Sequence, residues 1–352
     1  MTKLTFFIGA HVKPNVVLDV TNMGWMLKDE FELDLVAKEG PDVEEYFHDF
    51  SKHTFQGDSK TAEIRGLYDY LKNNDTDVVV QVTEPTQHGW IVALLSTYAG
   101  CKFVYRYDTD AFYSYRPRKG FEKIKYFGLH NLFGRWPPRM ADGYIVLGPT
   151  GKGRLTDRGV DENKIGVLPP SIDPDRLASF APHSDLNLDH IEQENVVLFI
   201  GRLNRMKGFD FLMEVIPDIL EQRDDLHFLI LGSGDQPELS EELEAHVTFT
   251  GFVQPSDVSG YIHAGDVLVL PSLREGLPRV ILEALCSNLT VVARDVGEVL
   301  SATQNVFTDV DEFIEMICSF EELPKQSGER FLRMHLQSIH IKFFNFVSLD
   351  NY

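Results

Sequence analysis

Short apolar runs alternate along the chain with stretches whose apolar residues have helical spacing. The first half has predicted strands at residues 3–10, 32–37, 77–82, 102–107 and 141–147, with helices at about 14–28 and 89–99. The second half has predicted strands at 196–200, 228–231, 247–251, 267–270 and 290–293, with a helix at about 278–286. Apolar strands that alternate with helices are typical of parallel sheets covered on both faces. The pattern therefore predicts an α/β protein.

The 352 residues are enough for two domains of ordinary size. Pro169 and Pro170 stiffen the predicted crossover, and a polar run at 182–195 leads into the next strand. We predict an N-terminal domain at residues 1–168, a C-terminal domain at 169–325 and a tail at 326–352. Whether the tail crosses back to the first domain stays open.

Ligands of parallel sheets bind at the carboxyl ends of the strands. In the first half this rule selects Gly9, the loop from Thr83 to His88 and the segment from Asp108 to Asp110. His88 either faces a ligand or has a structural role at the start of a helix. Asp108 and Asp110 form a DxD pattern, which suits either a metal-bound diphosphate or a catalytic acid close to an acceptor, and we favour Asp108 in the second role.

The stretch from Ala264 to Val296 contains two notable carboxylates. Glu275 lies in the loop ahead of the predicted helix, and Glu283 lies inside the helix among apolar residues, so we expect that helix to be buried. A buried carboxylate is costly without partners, and ligand hydroxyls are suitable ones. Gly276 and Leu277 precede Pro278, which fits a first helical position, and the helix start would stabilise an anion. Alternatively, both glutamates are ordinary solvated acids.

A second motif, GRLNRMKG, follows the predicted strand 196–200. Gly201 lets the backbone turn, while Arg202 and Lys207 place two cations where a diphosphate would bind. Gly232 and Gly234 end the next strand in a GSG sequence that is either part of this site or a simple turn. The GPTGKG sequence at 148–153 lacks the spacing of a phosphate loop and is predicted to be a turn.

Together, EGLPRVILEAL and GRLNRMKG resemble the retaining glycosyltransferases of group 1, a GT4-like family with the GT-B fold. This resemblance covers about 165–299 well and the first 160 residues loosely. It implies two Rossmann-like parallel-sheet domains facing a central cleft that closes over the donor. It also implies net retention of configuration and a nucleotide-sugar donor linked to UDP or GDP. The chain lacks the family's glycine-rich loop after the first strand, and Tyr107 or Asp108 replaces its usual histidine.

By this resemblance, Glu275 holds the hydroxyls of the donor sugar and Glu283 those of the ribose. The implied catalytic residues are Glu275, Arg202, Lys207 and Asp108. The donor site is completed by backbone near Phe252 and Val253. We expect neither a cofactor nor a metal, because protein cations neutralise the diphosphate.

Two other functions remain open. One is an isomerase of the same fold, such as a nucleotide-sugar 2-epimerase. The other is a catalytically silent subunit that binds a nucleotide-sugar or a glycan. The combined motifs favour transfer of a sugar to a glycan, a glycolipid or a polyprenyl-phosphate-linked acceptor.

The formal net charge of −21 argues against general binding of nucleic acid, and an acidic surface of the kind found in salt-adapted organisms is one explanation. Three separated cysteines in apolar surroundings indicate a reduced, cytoplasmic protein. The N-terminal apolar run is better explained as a strand than as a signal peptide, and no run reaches the length of a transmembrane span.

Residues 113–139 differ from the rest of this acidic chain because basic and aromatic side chains alternate there. Arg116 and Arg118 belong to this segment, and we assign them to the acceptor side. The mixture suits either anionic lipid headgroups at the inner face of the cell membrane or a phosphorylated acceptor. A solvated basic helix paired with acids elsewhere is the alternative.

Overall fold

The fold is described from a computed structural model. It describes residues 1–108, 111–173, 186, 188, 191, 193–254 and 257–332. Thr109, Asp110, most of the polar run at 182–195 and the tail beyond Leu332 lie outside these residues. The described chain forms two compact units, Met1–Ser171 and Ile172–Leu332.

The N-terminal unit is built on a seven-stranded sheet in the order β3-β2-β1-β4-β5-β6-β7. Every neighbouring pair is parallel. The strands are β1 Thr2–Gly9, β2 Phe31–Lys38, β3 Ser51–Phe55, β4 Val78–Gln81, β5 Lys102–Tyr107, β6 Gly143–Val146 and β7 Ile165–Val167. The helices are α1 Pro14–Leu27, α2 Pro41–Tyr46, α3 Lys60–Asn73, α4 Gln87–Ala99, α5 Gly120–Phe127, α6 Pro137–Met140 and α7 Pro149–Thr156.

Successive side chains of β1 point to opposite faces of the sheet, and each face is covered by a hydrophobic core. Phe6 and Ile8 pack with α1 and α2 on one side, whereas Phe7 packs with α3 and α4 on the other. All three side chains are fully buried. Burial on both faces explains why β1 is a nearly continuous apolar run.

The C-terminal unit repeats the plan with six parallel strands in the order β10-β9-β8-β11-β12-β13. The strands are β8 Asn195–Ile200, β9 Leu226–Leu231, β10 Val247–Gly251, β11 Val267–Leu270, β12 Thr290–Arg294 and β13 Val306–Phe307. The helices are α8 Phe209–Leu220, α9 Glu241–Glu244, α10 Val258–His263, α11 Arg279–Cys286 and α12 Val310–Cys318. Phe199, Phe228 and Phe313 are among the buried aromatic residues of its core.

Each sheet has one point where the strand order reverses direction. In the N-terminal unit it lies between β1 and β4, and in the C-terminal unit between β8 and β11. Loops leave such a point in opposite directions and open a crevice at the carboxyl ends of the strands. These two crevices are the places where each unit is built to hold a ligand. The predicted α/β class with two Rossmann-like sheets is confirmed.

Some local predictions were wrong. The GPTGKG sequence is not a turn, because Pro149 begins α7 and the helix continues to Thr156. Pro278 is not the first helical residue of α11, since its extended backbone places it just before the helix. Strands β3 and β7 were missed because both are short and lie at the edges of the sheet. Among the described helices, none has the length and hydropathy to cross a membrane.

Candidate active site

The crevice of the C-terminal unit is bordered by the loops that follow β8 and β11. Leu273 N–H donates to the Met206 carbonyl across the two loops at 3.0 Å. Gly208 has φ of +74°, and a Cβ there would lie 2.1 Å from the Pro271 carbonyl oxygen. Only glycine fits this close approach without strain. The two loops are therefore held together by their backbones.

Lys207 and Glu275 meet at this junction. Asn204 Oδ1 accepts from Lys207 N–H at 3.0 Å and fixes the turn that carries the lysine. Lys207 Nζ donates to Glu275 Oε1 at 2.6 Å, with side chains 27% and 11% exposed. The ion pair offsets the cost of holding the glutamate in a mostly buried position. Two residues 68 positions apart in the sequence thus form one charged group at the point where the strand order reverses.

Gly232 and Gly234 pack against the same loop. A Cβ on Gly232 would lie 1.8 Å from the Gly201 carbonyl oxygen, and one on Gly234 would lie 2.6 Å from the Leu203 carbonyl oxygen. Leu203 N–H donates to the Ser233 carbonyl at 2.9 Å. This packing explains why glycine occurs at both positions, whereas their predicted contact with a donor stays a prediction.

The loop after β12 is a part of the site that sequence reasoning missed. Gly297 has φ of +62°, and a Cβ there would lie 2.4 Å from the Glu275 carbonyl oxygen. Glu298 N–H donates to the Gly276 carbonyl at 2.8 Å. The backbone around Glu275 is therefore supported from β12 as well as from β8. In the sequence, Gly297 was the signal for a close approach of the backbone to another loop at this point.

Arg294, at the end of β12, was also missed. Its guanidinium lies 4.8 Å from the ring centroids of both Phe211 and Phe307, and its Nε donates to the Pro271 carbonyl at 3.2 Å. Burial lowers the pKa of this arginine. Arg294 thereby positions the start of the loop that leads to Glu275.

The remaining predicted donor residues differ in exposure. Arg202 is exposed, whereas Leu277 is buried beneath the loop. Helix α11 buries Ile281, Leu282, Ala284 and Leu285. Glu283 is half-buried, and no residue of the helix is exposed, which agrees with the expectation of a buried helix. The Glu283 carboxylate lies close enough to Cys286 to contribute, after burial, to raising the pKa of that thiol to about 11.

Phe252 and Val253 follow β10, as predicted. Phe252 is 67% exposed. Both residues line a surface cavity of about 400 Å³ together with Thr250, Asp257 and Tyr261. An exposed aromatic ring beside a cavity is suited to stacking on a planar ligand group.

The crevice of the N-terminal unit holds a second charged group. His11 follows β1, Glu84 follows β4, and His88 lies in the first turn of α4. His11 Nε2 lies 3.0 Å from Glu84 Oε1, and His88 Nε2 lies 3.8 Å from Glu84 Oε2. Glu84 has φ of +45°, an uncommon conformation for a residue other than glycine. Backbone strain of this kind is found preferentially at functional sites.

Helix α3 adds Lys60 and Glu63 to this group. Lys60 Nζ lies 2.7 Å from Glu84 Oε2 and 2.9 Å from Glu63 Oε2. Burial alone would raise the pKa of Glu63, but hydrogen bonds from His88, Ala10 N–H and Lys60 lower it to about 2. The hydrogen bond from His11, opposed by burial and assisted by Lys60, lowers the pKa of Glu84 to about 2. Both carboxylates are therefore ionised at neutral pH.

Sequence reasoning selected Gly9 and the loop from Thr83 to His88, which contains Glu84, but missed His11, Lys60 and Glu63. His88 is fully buried, and its Nδ1 lies 2.8 Å from Thr83 Oγ1. A Cβ on Gly9 would lie 2.7 Å from His88 Cε1. The glycine therefore makes room for the histidine. A direct contact of either residue with an acceptor stays a prediction.

Asp108 lies directly after β5 and is half-buried. Its charge contributes to raising the pKa of the buried Arg106, although the ion pair with Asp19 contributes more. Tyr107 is buried and stacks on Phe112 at 4.9 Å. Of Tyr107 and Asp108, Asp108 is thus the more accessible.

The arginines of the basic segment stack on tyrosines. The Arg116 guanidinium lies 4.1 Å from the Tyr113 ring centroid, and that of Arg118 lies 3.6 Å from the Tyr126 ring centroid. Arg154 also lies over Tyr113, at 4.8 Å. Stacking holds each guanidinium over the face of a ring, and Arg118 also donates to the Ser114 carbonyl. The assignment of Arg116 and Arg118 to an acceptor stays a prediction.

Residues 194–321 match the family model described as glycosyl transferases group 1. The chain is 30% identical over 195 residues to a 2-deoxystreptamine glucosyltransferase and 27% identical over 224 residues to an α-D-kanosaminyltransferase, both from Streptomyces kanamyceticus. These matches cover 52% and 58% of this chain. The chain spans 50% and 56% of the two relatives, or about half of their length.

Solved structures match the fold over almost the whole chain. A glycosyltransferase from Rickettsia africae ESF-5 has a TM-score of 0.73 at 15% identity, covering 99% of both chains. HepE from Anabaena, in complex with UDP-glucose, has a TM-score of 0.65 at 18% identity, covering 99% of this chain and 97% of that one. A putative UDP-N-acetylglucosamine 2-epimerase from Listeria monocytogenes scores 0.67 at 14% identity, with 99% and 97% covered.

The family match includes the loops that bring Lys207 and Glu275 together, and the structural matches share both parallel sheets. Residues 194–321 are therefore similar to the glycosyl transferase group 1 family, and the chain as a whole has a fold of the GT-B type.

Proposed function

We propose that the chain is a retaining glycosyltransferase that moves a sugar from a UDP- or GDP-linked donor to an acceptor. The observation that carries the proposal is the contact of 2.6 Å between Lys207 and Glu275 at the reversal point of the C-terminal sheet. The Lys207 ammonium can bind a diphosphate, and the adjacent Glu275 carboxylate can accept hydrogen bonds from sugar hydroxyls, so the pair suits the junction between the two.

In this proposal the diphosphate binds to Arg202, Lys207 and the backbone ahead of α11. The transition state has oxocarbenium character, and negative charge grows on the departing diphosphate. Two cations and the N-terminal end of a helix stabilise that charge. Protein groups thus supply the neutralisation that a metal supplies elsewhere.

Glu275 accepts hydrogen bonds from the sugar hydroxyls, and Glu283, on the half-exposed face of α11, accepts those of the ribose. Phe252 and the cavity beside it suit the planar base. A UDP-glucose complex of a protein with the same fold, and relatives named as glucosyl- and kanosaminyltransferases, support a nucleotide-linked hexose as donor. Asp108 is proposed as the catalytic carboxylate on the acceptor side, where it can accept the proton of the acceptor hydroxyl.

Calorimetric titration tests the donor site. We expect one of UDP, GDP and ADP to bind selectively. Lys207→Ala and Glu283→Ala should each weaken it by about 10- to 100-fold, because each removes a charge-assisted hydrogen bond. Lys152→Ala is the matched control, since Lys152 forms a comparable pair with Glu162 at 2.7 Å in the other unit. A folded chain that binds none of the nucleotides would exclude the proposal.

The structural match with a putative epimerase supports a second candidate function, nucleotide-sugar epimerisation. An epimerase would convert UDP-N-acetylglucosamine without any acceptor, whereas a transferase requires one. A silent subunit would bind nucleotide but turn over neither substrate. Product analysis by mass spectrometry, with and without a glycan acceptor mixture, separates the three.

The acceptor side carries an exposed surface that we propose contacts an anionic membrane. We define the amphipathic surface as the exposed apolar residues Phe121, Ile124, Phe127, Leu132, Phe133 and Trp136 with the exposed basic residues Lys119, Lys123, Lys125, Arg135 and Arg139. Helix α5 has no buried residue, and Phe121 and Ile124 are 79% and 69% exposed. Apolar side chains enter the headgroup region while neighbouring cations attract anionic lipids. A lipid-linked acceptor would be presented at such a surface.

Vesicle sedimentation tests this surface. We expect binding to phosphatidylglycerol vesicles that Ile124→Ser weakens severalfold and that salt reduces. Ile64→Ser is the control, because Ile64 is an exposed isoleucine on α3 outside the surface. Equal binding by both variants, or no binding to anionic vesicles, would rule out membrane contact here.

A further inference from the structure

The donor chemistry proposed above leaves the second charged group unexplained. It lies at the reversal point of the N-terminal sheet, where the loops after β1 and β4 separate. His11, Glu84 and His88 each offer one atom to this place, and these three atoms lie within 4.8 Å of one another. Two imidazoles and a carboxylate are the ligand types preferred by zinc and neighbouring transition metals.

The spacing is close to that of a metal site. Ligands at about 2.0–2.2 Å from one ion are separated from each other by about 3.3–4.4 Å. The measured separations are 3.0 Å between His11 Nε2 and Glu84 Oε1 and 3.8 Å between His88 Nε2 and Glu84 Oε2. All three ligand atoms lie within 4.8 Å of one another, so a shift of no more than a few tenths of an ångström would bring every pair into this range.

Neighbouring side chains hold the proposed ligands in position. Thr83 Oγ1 lies 2.8 Å from His88 Nδ1 and so leaves Nε2 facing the group. Glu63 Oε2 lies 3.3 Å from His88 Nε2, which brings a second carboxylate to the same place. Hydrogen bonds of this kind orient the ligands of protein metal sites. Gly9 completes the fit, because a Cβ there would overlap the imidazole of His88.

A cation of the protein already occupies this position. Lys60 Nζ lies 2.7 Å from Glu84 Oε2, 2.9 Å from Glu63 Oε2 and 3.3 Å from His88 Nε2. The lysine is the first residue of α3, and its side chain is 41% exposed. It can therefore turn into solvent without disturbing the buried His88.

We propose that His11, Glu84 and His88, supported by Glu63, form a binding site for a divalent transition metal such as Zn²⁺, and that Lys60 competes for it. When the Lys60 side chain is in the site, its ammonium group neutralises the Glu63 and Glu84 carboxylates. When the side chain turns into solvent, the metal ion takes the place of the ammonium group. The donor diphosphate is bound in the other unit and needs no metal from this site.

Calorimetric titration with ZnCl₂ in the absence of nucleotide and acceptor tests the proposal. We expect one Zn²⁺ per chain, bound at least about tenfold more tightly by Lys60→Met than by the natural chain, because the competing cation is gone. In the Lys60→Met background, Glu84→Gln and His11→Ala should each weaken binding by about tenfold or more. MgCl₂ should bind far more weakly, because Mg²⁺ prefers oxygen ligands.

His48→Ala is the matched control, because His48 is an exposed histidine of the same unit outside the cluster. Circular dichroism of each variant confirms that it is folded. A folded Lys60→Met chain that binds no Zn²⁺ would overturn the proposal, as would binding that survives both ligand substitutions. Because no sugar donor is used, the result does not depend on the proposed transfer reaction.

Discussion

At the scale of single residues, the clearest requirement is for glycine at Gly208. It adopts a left-handed conformation, and its Cα faces the Pro271 carbonyl oxygen with no room for a methyl group. The sequence alone marked this glycine only as the end of a motif. The structure adds that the residue joins the two loops that carry Lys207 and Glu275.

Gly208→Ala should therefore lower the free energy of unfolding by about 1–3 kcal/mol, through backbone strain and overlap. Gly153→Ala is the control, because Gly153 lies inside α7 and a Cβ there meets nothing within 4 Å. That control should be neutral or stabilising by up to about 1 kcal/mol. Urea denaturation measures both, and equal effects would contradict the contact with Pro271.

Cys286 reports on the charge of Glu283. Its pKa of about 11 means that little thiolate is present at pH 8, so alkylation by iodoacetamide should be slow. Glu283→Gln removes a nearby negative charge, lowers the thiol pKa and should speed the reaction severalfold. Peptide mapping by mass spectrometry follows Cys286 and, as an internal control, Cys318, whose rate should not change. An unchanged rate at Cys286 would place the carboxylate away from the thiol.

The sequence revealed Lys207, Glu275 and Glu283 because each belongs to a compact motif beside a strand or helix. It did not reveal Lys60 and Glu63, whose role depends on where α3 packs. The Ala10 N–H donates to Glu63 at 3.0 Å across 53 positions of sequence. Contacts of that kind follow from the tertiary arrangement, and local pattern carries no signal for them.

At the scale of elements, the strands were easier to predict than the helices. Residues 102–107, 247–251 and 267–270 are strands with the predicted bounds. Buried parallel strands are largely apolar, so they stand out from the polar segments and glycines between them. Helix bounds were less exact, since the helix predicted at about 278–286 begins at Arg279.

Helix α8 contains a residue that lowers its stability. Pro217 lies inside the helix, and its side chain is exposed. Because proline has no backbone N–H, the helical hydrogen bond to the Met213 carbonyl is missing. An interior proline costs about 3 kcal/mol, whereas losing its restriction of the unfolded chain costs only about 0.4–1 kcal/mol. Pro217→Ala should therefore raise the free energy of unfolding by about 2–2.5 kcal/mol.

Pro149→Ala is the comparison for that helix prediction. Pro149 begins α7, where a proline lacks no internal hydrogen bond. Its replacement should give no gain in stability. Thermal unfolding of both variants distinguishes the two positions, and a loss of stability in Pro217→Ala would show that the proline has a packing role.

At the scale of the whole molecule, the net charge of −21 decides the response to salt. Like charges repel across the surface at low ionic strength, and the Debye length falls from about 10 Å at 0.1 M to about 3 Å at 1 M salt. The free energy of unfolding should therefore rise between these KCl concentrations. Sorbitol at matched osmolality is the control for effects unrelated to charge. A fall in stability with KCl would show that attractive ion pairs outweigh the repulsion.

The backbone contacts among the loops of the C-terminal crevice constrain how this protein can change over evolution. Loops after β8, β9, β11 and β12 touch one another through glycines at Gly208, Gly232, Gly234 and Gly297. An insertion or deletion in one of these loops would displace the other three. New donor preferences should therefore arise by exchange of side chains such as Arg202 and Phe252 on a loop framework of fixed length.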